Sequence, residues 1–586
     1  MWHILLLILE TLLHKIYHML HLKQAGGRNM EKILDNRYYD LIISNAMVPS
    51  YNTGDNITTL NEMNSLLHIP KDQMEPCDLG VTPYHSFPTL YTLESSVSIE
   101  KSGIGAVQRT PGLGLIGRGV IVGIVDTGID YRHPAFKYND KTTRILSIWD
   151  QTQVESTPPR GFTFGAEYTR ELINFALISE NPFLIVPTVD TIRHGTAIAS
   201  IIAGRPNEAY NFSGVVPEAD LLVVKLKTAK DNLKKLFFVP DSALCYQESD
   251  IILGIRYLVT TAQRLNRPLV ICIALGSSQG GHDGRGASSA YLDYLVQLPK
   301  IGVTIAAGNE GNSRRHYFNN TQTAPYVNNF RLNVGINDKG FSMEIWPYIP
   351  SKLYIEITAP TWETSQIIYP AFSDCKKIVF QSVETVAWVN NIIFEEETGD
   401  QLILVRFQNI VPGTWYFRVG STENEAFSYH AWLPSGNIIS NETFFLDANP
   451  DTTITSQGDA VHPLTVTAYN QLDGNILSES SRGYTRLGLI KPDLGAPGYQ
   501  IPCALPDFQY GSATGTGVAA AHAAGVAAMT LEWAYNKGNF TSITGYQVNR
   551  LMIRGARRDQ TNTYPNNVWG YGQLDAGNMF RQLTTS

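Results

Sequence analysis

Val120-Ile-Val-Gly-Ile-Val-Asp126 is an unbroken apolar run that ends on a carboxylate and meets a turn at Thr127-Gly128. A run without polar alternation suits a strand buried on both faces, and such strands belong to parallel sheets. Similar runs follow at Leu221-Leu-Val-Val224, Leu269 to Leu275 and Gly302-Val-Thr-Ile-Ala-Ala307. Helical stretches separate them, from Gly195 to Ala203 and from Asp250 to Arg264. Strand and helix alternate, which predicts an α/β fold: a parallel sheet flanked by helices.

The pattern changes near residue 325. From there to about 445 the chain alternates and is rich in aromatic and β-branched residues, as in Phe341-Ser-Met-Glu-Ile-Trp346 and Thr414-Trp-Tyr-Phe-Arg-Val419. That pattern predicts a β-sandwich or jelly roll inserted into the larger domain, which resumes near Leu464. Upstream, a mixed segment ends in a stretch rich in Pro and Tyr (Pro83, Tyr84, Pro88, Tyr91) and reads as a small separate unit. The expected division is 1–29, 30–96, 97–325, 326–445 and 446–586. Residues 4–13 are apolar but interrupted by Glu10, too short for a membrane span of about 20 residues. They lack a basic leader and a small-residue cleavage site, so no secretory signal is expected. Two readings of 1–29 stay open: an amphipathic surface helix, or an extension preceding a true start at Met30.

The 586 residues carry a net charge of −8, which gives no reason to expect a nucleic-acid partner. Apolar residues make up 43% and charged ones 17%, in the range of a folded protein. The five cysteines (Cys77, Cys245, Cys272, Cys375, Cys503) are scattered, and no two are spaced as metal ligands. Neither metal nor cofactor is expected, and the odd, scattered set suits synthesis in a reducing compartment.

Four places carry chemistry. Asp126 lies at the C-terminal end of a buried strand, where open α/β sheets put their sites. Its Asp126-Thr-Gly128 string also occurs in aspartic proteases, but those need a second such loop, and none is present. His194, in Arg193-His-Gly-Thr-Ala-Ile-Ala-Ser200, opens a helix of small residues. An Asp on one imidazole nitrogen leaves the other free to act as a base. Asn309 follows an apolar strand, where its amide can donate to an oxyanion. The run Gly511 to Ala528 is rich in Ala and predicts a helix whose N-terminus, near Gly515-Thr516, favours a nucleophile and an oxyanion.

On these residues the chain resembles the subtilisin-like serine proteases, the subtilases. Asp126-Thr-Gly-Ile129, His194-Gly-Thr196, Gly308-Asn309 and Gly515-Thr516 are similar to the four signature blocks of that family, in its own order. Gly214 to Asp220, Ser481-Arg-Gly-Tyr484 and Lys491 to Gly498 match as well. The finer resemblance is to the Csp-type germination proteases of spore-forming anaerobes. Leu34-Asp-Asn-Arg-Tyr-Tyr-Asp40 looks like the start of their prodomain, and a jelly-roll insert is typical of them. The resemblance implies a subtilisin-like fold with an N-terminal α+β prodomain and an inserted jelly roll. It implies Asp126 and His194 as catalytic positions, Asn309 at the oxyanion and Leu275-Gly276 as the groove edge that pairs with a peptide. Active members of that group cleave a cortex-lytic zymogen during germination. Others have lost triad residues and act as regulators.

The chain departs from the family at one decisive place. Gly-Thr-Ser-Met-Ala-Ala-Pro-His maps onto Gly515-Thr-Gly-Val-Ala-Ala-Ala-His522, so the nucleophile position is Gly517. Glycine cannot form an acyl-enzyme. Thr516 is turned about 100° away along a helix and cannot replace it without rearrangement. The Gly281-His-Asp-Gly284 turn reads as structural. The expectation is a pseudoprotease with a peptide-binding groove, made in the cytoplasm, packaged in the spore and partnered by a peptide or a related active protease. A subtilase cuts its own prodomain, here near Leu93 to Ser96 by resemblance; without a nucleophile the chain is expected to stay whole at 65.0 kDa, its prodomain end plugging the cleft.

Overall fold

The structure is a computed structural model that describes residues 31–51, 56–74, 77, 79, 82–98, 114–154 and 156–584. The readings of residues 1–29 lie outside the described residues. The central sheet has eight strands in the order Ala166–Thr169, Ile145–Asp150, Asp220–Lys225, Ile121–Asp126, Leu269–Ile273, Ile301–Ala306, Leu464–Tyr469, Leu494–Pro497. All pairs are parallel except at the edge strand Ala166–Thr169. Strand residues alternate between two apolar layers, as a pleated sheet covered on both faces requires. Val122, Ile124, Val270 and Cys272 join the core under the helices His194–Ala203 and Thr516–Leu531. Ile121, Val125, Ile271 and Ile273 join the opposite core, with the helix Glu248–Arg264. Every residue of Thr516–Leu531 is buried, and its alanines let it lie close against the sheet.

Two further antiparallel sheets, of six and four strands, come from the middle of the chain and share one apolar core that includes Phe330, Trp346, Phe407 and Trp415. Their first strand, His316–Thr321, lies upstream of the change in sequence pattern near 325. It pairs with Phe427–Trp432.

The N-terminal segment forms a three-stranded sheet of Tyr38–Ser44, Asn64–Pro70 and Ile57–Thr59. Asp40 fastens it to the central domain. Its carboxylate, fully buried, meets His68 at 2.7 Å and Lys230 at 2.8 Å and accepts from Gln247 at 3.1 Å. Burial alone would raise this carboxyl; Lys230 and His68 outweigh it and hold it below its usual value. The segment also touches the inserted sheets. The Tyr84 hydroxyl donates to Glu344 at 2.5 Å, and His85 meets Glu395 at 3.0 Å. The scattered cysteines gave no reason to expect a bridge, yet Cys77 and Cys375 form a disulfide across a sequence separation of 298. Cys245, Cys272 and Cys503 are buried free thiols. None of the described helices is long and apolar enough to cross a membrane.

Candidate active site

Asp126 is the last residue of a strand at the middle of the central sheet, and His194 is the first residue of a helix that packs beside it. His194 Nδ1 lies 2.8 and 2.9 Å from the two Asp126 carboxylate oxygens, and both side chains are buried. The carboxylate thereby selects the tautomer with Nδ1 protonated and leaves Nε2 as the basic nitrogen.

A residue that sequence reasoning passed over holds this pair in place. Asp190 accepts from the Thr127 hydroxyl at 2.8 Å, the Arg193 N–H at 2.9 Å, and the Thr196 N–H and hydroxyl at 2.8 and 2.7 Å. The Thr127 hydroxyl in turn accepts from the Gly195 N–H at 2.8 Å. These bonds satisfy the open N–H groups at the start of the helix, which otherwise lack partners. The signal was an Asp four residues before a histidine that opens a helix. Gly195 is required for the approach, since a Cβ there would lie 2.2 Å from the Gly128 carbonyl oxygen.

Across the cleft, the helix Thr516–Leu531 begins beside Asn309. The Asn309 amide oxygen accepts from the Thr516 N–H and hydroxyl, both at 3.1 Å, and the Thr516 hydroxyl accepts from the Gly308 N–H at 3.1 Å. Thr516 is thus committed to Asn309 and Gly308, not to His194. The Thr514 hydroxyl accepts from the Gln500 N–H at 2.9 Å. At position 517 there is only backbone. His282 is buried between the Ile454 and Ser278 carbonyls and stacks on Trp432 at 4.0 Å, a structural placement.

The cleft is filled by the chain's own N-terminal segment. The strand Leu90–Leu93 pairs antiparallel with Leu275–Gly276, with Leu93 opposite Leu275 and Thr92 opposite Gly276. The Glu94 N–H continues the pairing to the Ala274 carbonyl at 3.0 Å. Beyond the centre, Ser96–Ser98 pairs with Ser512 to Thr514. Between these two anchored stretches, the Gly517 N–H donates to the Glu94 carbonyl at 2.8 Å. Asn309 Nδ2 lies close by: a Cβ placed on Gly515 would be 2.7 Å from the Glu94 oxygen and 3.1 Å from that nitrogen. The next residue, Ser95, puts its hydroxyl 2.6 Å from His194 Nε2.

The Glu94 side chain is buried beside Gly276, Thr455 and Glu310. Burial and the nearby Glu310 push its carboxyl up to about 8, more than the Asn309 N–H, Thr455 and Arg315 pull it down. Glu94 therefore sits in its pocket as the neutral acid at neutral pH.

The site thus holds a general base oriented by a carboxylate, a backbone donor aimed at a carbonyl, and a peptide strand laid across both. Position 517 offers no side chain to attack that carbonyl. In subtilisin itself, loss of the nucleophile costs on the order of 10⁶ in turnover. Among the described residues no group of His, Cys, Asp and Glu is arranged to hold a metal ion.

The relatives of the chain agree with this architecture. The CspB protease of Clostridium perfringens superposes with a TM-score of 0.72 at 28% identity, over 80% of this chain and 94% of that one. The C5a peptidase of Streptococcus pyogenes serotype M1 is 22% identical over 486 residues, 77% of this chain and 37% of that protein. The minor extracellular protease Vpr of Bacillus subtilis is 22% identical over 488 residues, 80% of this chain and 52% of that protein. The chain thus spans between about a third and a half of the length of those two relatives. The family model described as "Subtilase family" matches residues 117–335 and 432–572, the two stretches that build the central sheet and both walls of the cleft. With that match over more than half of its length, and with the parallel sheet and ordered blocks that carry it, this chain belongs to the subtilase family.

Proposed function

We propose that this chain is a pseudoprotease, one that binds and regulates in bacterial spore germination signalling instead of cutting a second protein. The observation that carries the reading is Gly517, which stands where the reacting hydroxyl of a subtilase belongs while Asp126 and His194 keep their bond. The filled groove supports it. A peptide strand lies along Leu275–Gly276 with its carbonyl on the Gly517 N–H, so the cleft retains recognition without a nucleophile of its own. In this reading residues 30–96 are the prodomain, the inserted sheets are a jelly roll, and the partner is a peptide or a related active germination protease that competes for the same edge. The protein is made in the cytoplasm and packaged in the spore. The likeness to the CspB protease supports the resemblance to the Csp-type group, and the placement in germination rests on that resemblance.

A second reading has one observation in its favour, the intact Asp126–His194 pair. In it the chain is a working serine endopeptidase that processes a cortex-lytic zymogen. A fluorophosphonate probe separates the two. The pseudoprotease predicts no labelling of the purified chain and no cleavage of added zymogen. Labelling that disappears on changing a neighbouring threonine would establish the second reading. A pull-down from dormant spores tests the binding role: a related active protease or its zymogen should be retained, and retention should fall when Leu275–Gly276 is blocked.

A further inference from the structure

The groove contains a complete set of parts for one acyl transfer, with the hydroxyl supplied by the strand it holds. Ser95 Oγ is 2.6 Å from His194 Nε2, and His194 is oriented by Asp126. The carbonyl that immediately precedes Ser95 belongs to Glu94, and its oxygen is held at 2.8 Å by the Gly517 N–H. A serine hydroxyl reaches the preceding carbonyl carbon through a five-membered ring, so proximity is built into the chain. What such a shift needs from its surroundings is a base on the hydroxyl and a donor on the oxygen. Both are present, and β pairing on either side fixes the bond between them.

Against the expectation that a chain with glycine at 517 stays whole, we propose that this chain cuts itself once, at Glu94–Ser95, by an N-to-O acyl shift in which Ser95 is the nucleophile. His194 Nε2 takes the Ser95 hydroxyl proton as Oγ bonds to the Glu94 carbonyl carbon. The negative charge that develops on the Glu94 oxygen falls on the Gly517 N–H. The C–N bond then breaks, and the proton on His194 passes to the leaving nitrogen, which becomes the amine of Ser95. An ester now joins the Glu94 acyl group to Ser95 Oγ. Water, with His194 again as base, hydrolyses it to a Glu94 carboxylic acid and a Ser95 with free hydroxyl and free amine. Atoms and charge balance with water as the sole co-reactant.

The glycine belongs to this mechanism. A Cβ on residue 517 would sit 3.0 Å from the Glu94 oxygen and 3.3 Å from the Glu94 carbonyl carbon, inside ordinary contact distance. A serine there would also compete with Ser95 for His194. Absence of a side chain lets the strand bring its own hydroxyl to the base. The reaction is a single event, because the nucleophile departs as the new N-terminus. It goes beyond the binding role: a chain cut here still has no nucleophile for a second protein.

The test uses the purified full chain, followed by reducing gels, intact mass and N-terminal sequencing. A fragment beginning at Ser95 should form at a rate independent of protein concentration. Hydroxylamine should accelerate its formation and leave a hydroxamate on Glu94, the signature of an ester. Ser95→Ala should stay whole, Ser95→Cys should proceed through a thioester that added thiols cleave, and His194→Ala should slow the cut by about 10²–10⁴-fold. Thermal unfolding of Ser95→Ala near that of the parent chain separates lost chemistry from lost structure. A parent chain that stays whole through prolonged hydroxylamine treatment would overturn the proposal. So would cleavage of Ser95→Ala at the same bond.

Discussion

The two walls of the cleft are built to different standards. The wall that carries Asp126 and His194 is held by a web of side-chain bonds centred on Asp190, and most of that web serves the helix start as much as the histidine. The opposite wall, from Gly515 to Ala521, meets the bound strand through a single backbone N–H. Losing a side chain from the first wall strands buried donors, whereas losing one at 517 strands nothing. Chemistry was therefore removable at one wall and bound to folding at the other.

Restoring the second wall gives the largest effect. In a Ser95→Ala background, where neither hydroxyl is present, adding Gly517→Ser should speed the cut at residue 94 by up to about 10⁶-fold, or roughly 8 kcal/mol of barrier, read by N-terminal sequencing after pulse labelling. An uncut Gly517→Ser chain would break the comparison and place the fault in Val518 and Ala521, where the family has Met and Pro. The next effect is on pH. Glu94 holds its proton in the groove up to about 8, while a released glutamate gives it up near 4.5. The docked strand thus binds the extra proton, so docking weakens as pH rises between those values and is weakest above 8. The loss is on the order of 5 kcal/mol. Hydrogen exchange at Leu93 and Glu94, measured in a Ser95→Ala background, should show protection falling over that window. Glu94→Gln should flatten the dependence and raise protection at high pH.

Smaller changes sharpen the contrast. Asp190→Ala should lower stability by about 3 kcal/mol in chemical denaturation, because it leaves three buried donor groups and the partly buried Arg193 N–H without their acceptor. Thr516→Val should cost only about 1–2 kcal/mol, since it removes one hydroxyl shared between Asn309 and Gly308. A larger loss at 516 than at 190 would reverse the ranking of the two walls.

Much of the fold was legible because burial writes itself into the sequence. Strands buried on both faces, such as Ile121–Asp126 and Leu269–Ile273, leave unbroken apolar runs that composition alone exposes. The strand His316–Thr321 was hidden for the opposite reason: its sequence, His-Tyr-Phe-Asn-Asn-Thr, is mostly polar, and four of its six residues are exposed or partly exposed. At the site, Asp126, His194, Asn309 and Gly517 stood out through local motifs, and the structure brings them to one cleft. Asp190 did not, because its role depends on where a loop folds back. The resemblance placed a prodomain end near Leu93 to Ser96, but nothing in the sequence singled out Glu94 or Ser95 within it. Their chemistry exists only after the strand has crossed to Leu275–Gly276, a pairing between residues far apart in sequence that no local pattern records.

The Cys77–Cys375 bridge changes what a break in the backbone would mean. It joins the N-terminal unit to the inserted sheets by a route that bypasses residues 94 and 95. Severing Glu94 from Ser95 would therefore leave a molecule of two polypeptides and one covalent piece. The freed Glu94 end could swing out of the groove but not diffuse away, and would face it at an effective concentration on the order of millimolar. A competing strand from another protein would have to outbid a leashed rival, until a reductant opened the leash and made the displacement permanent.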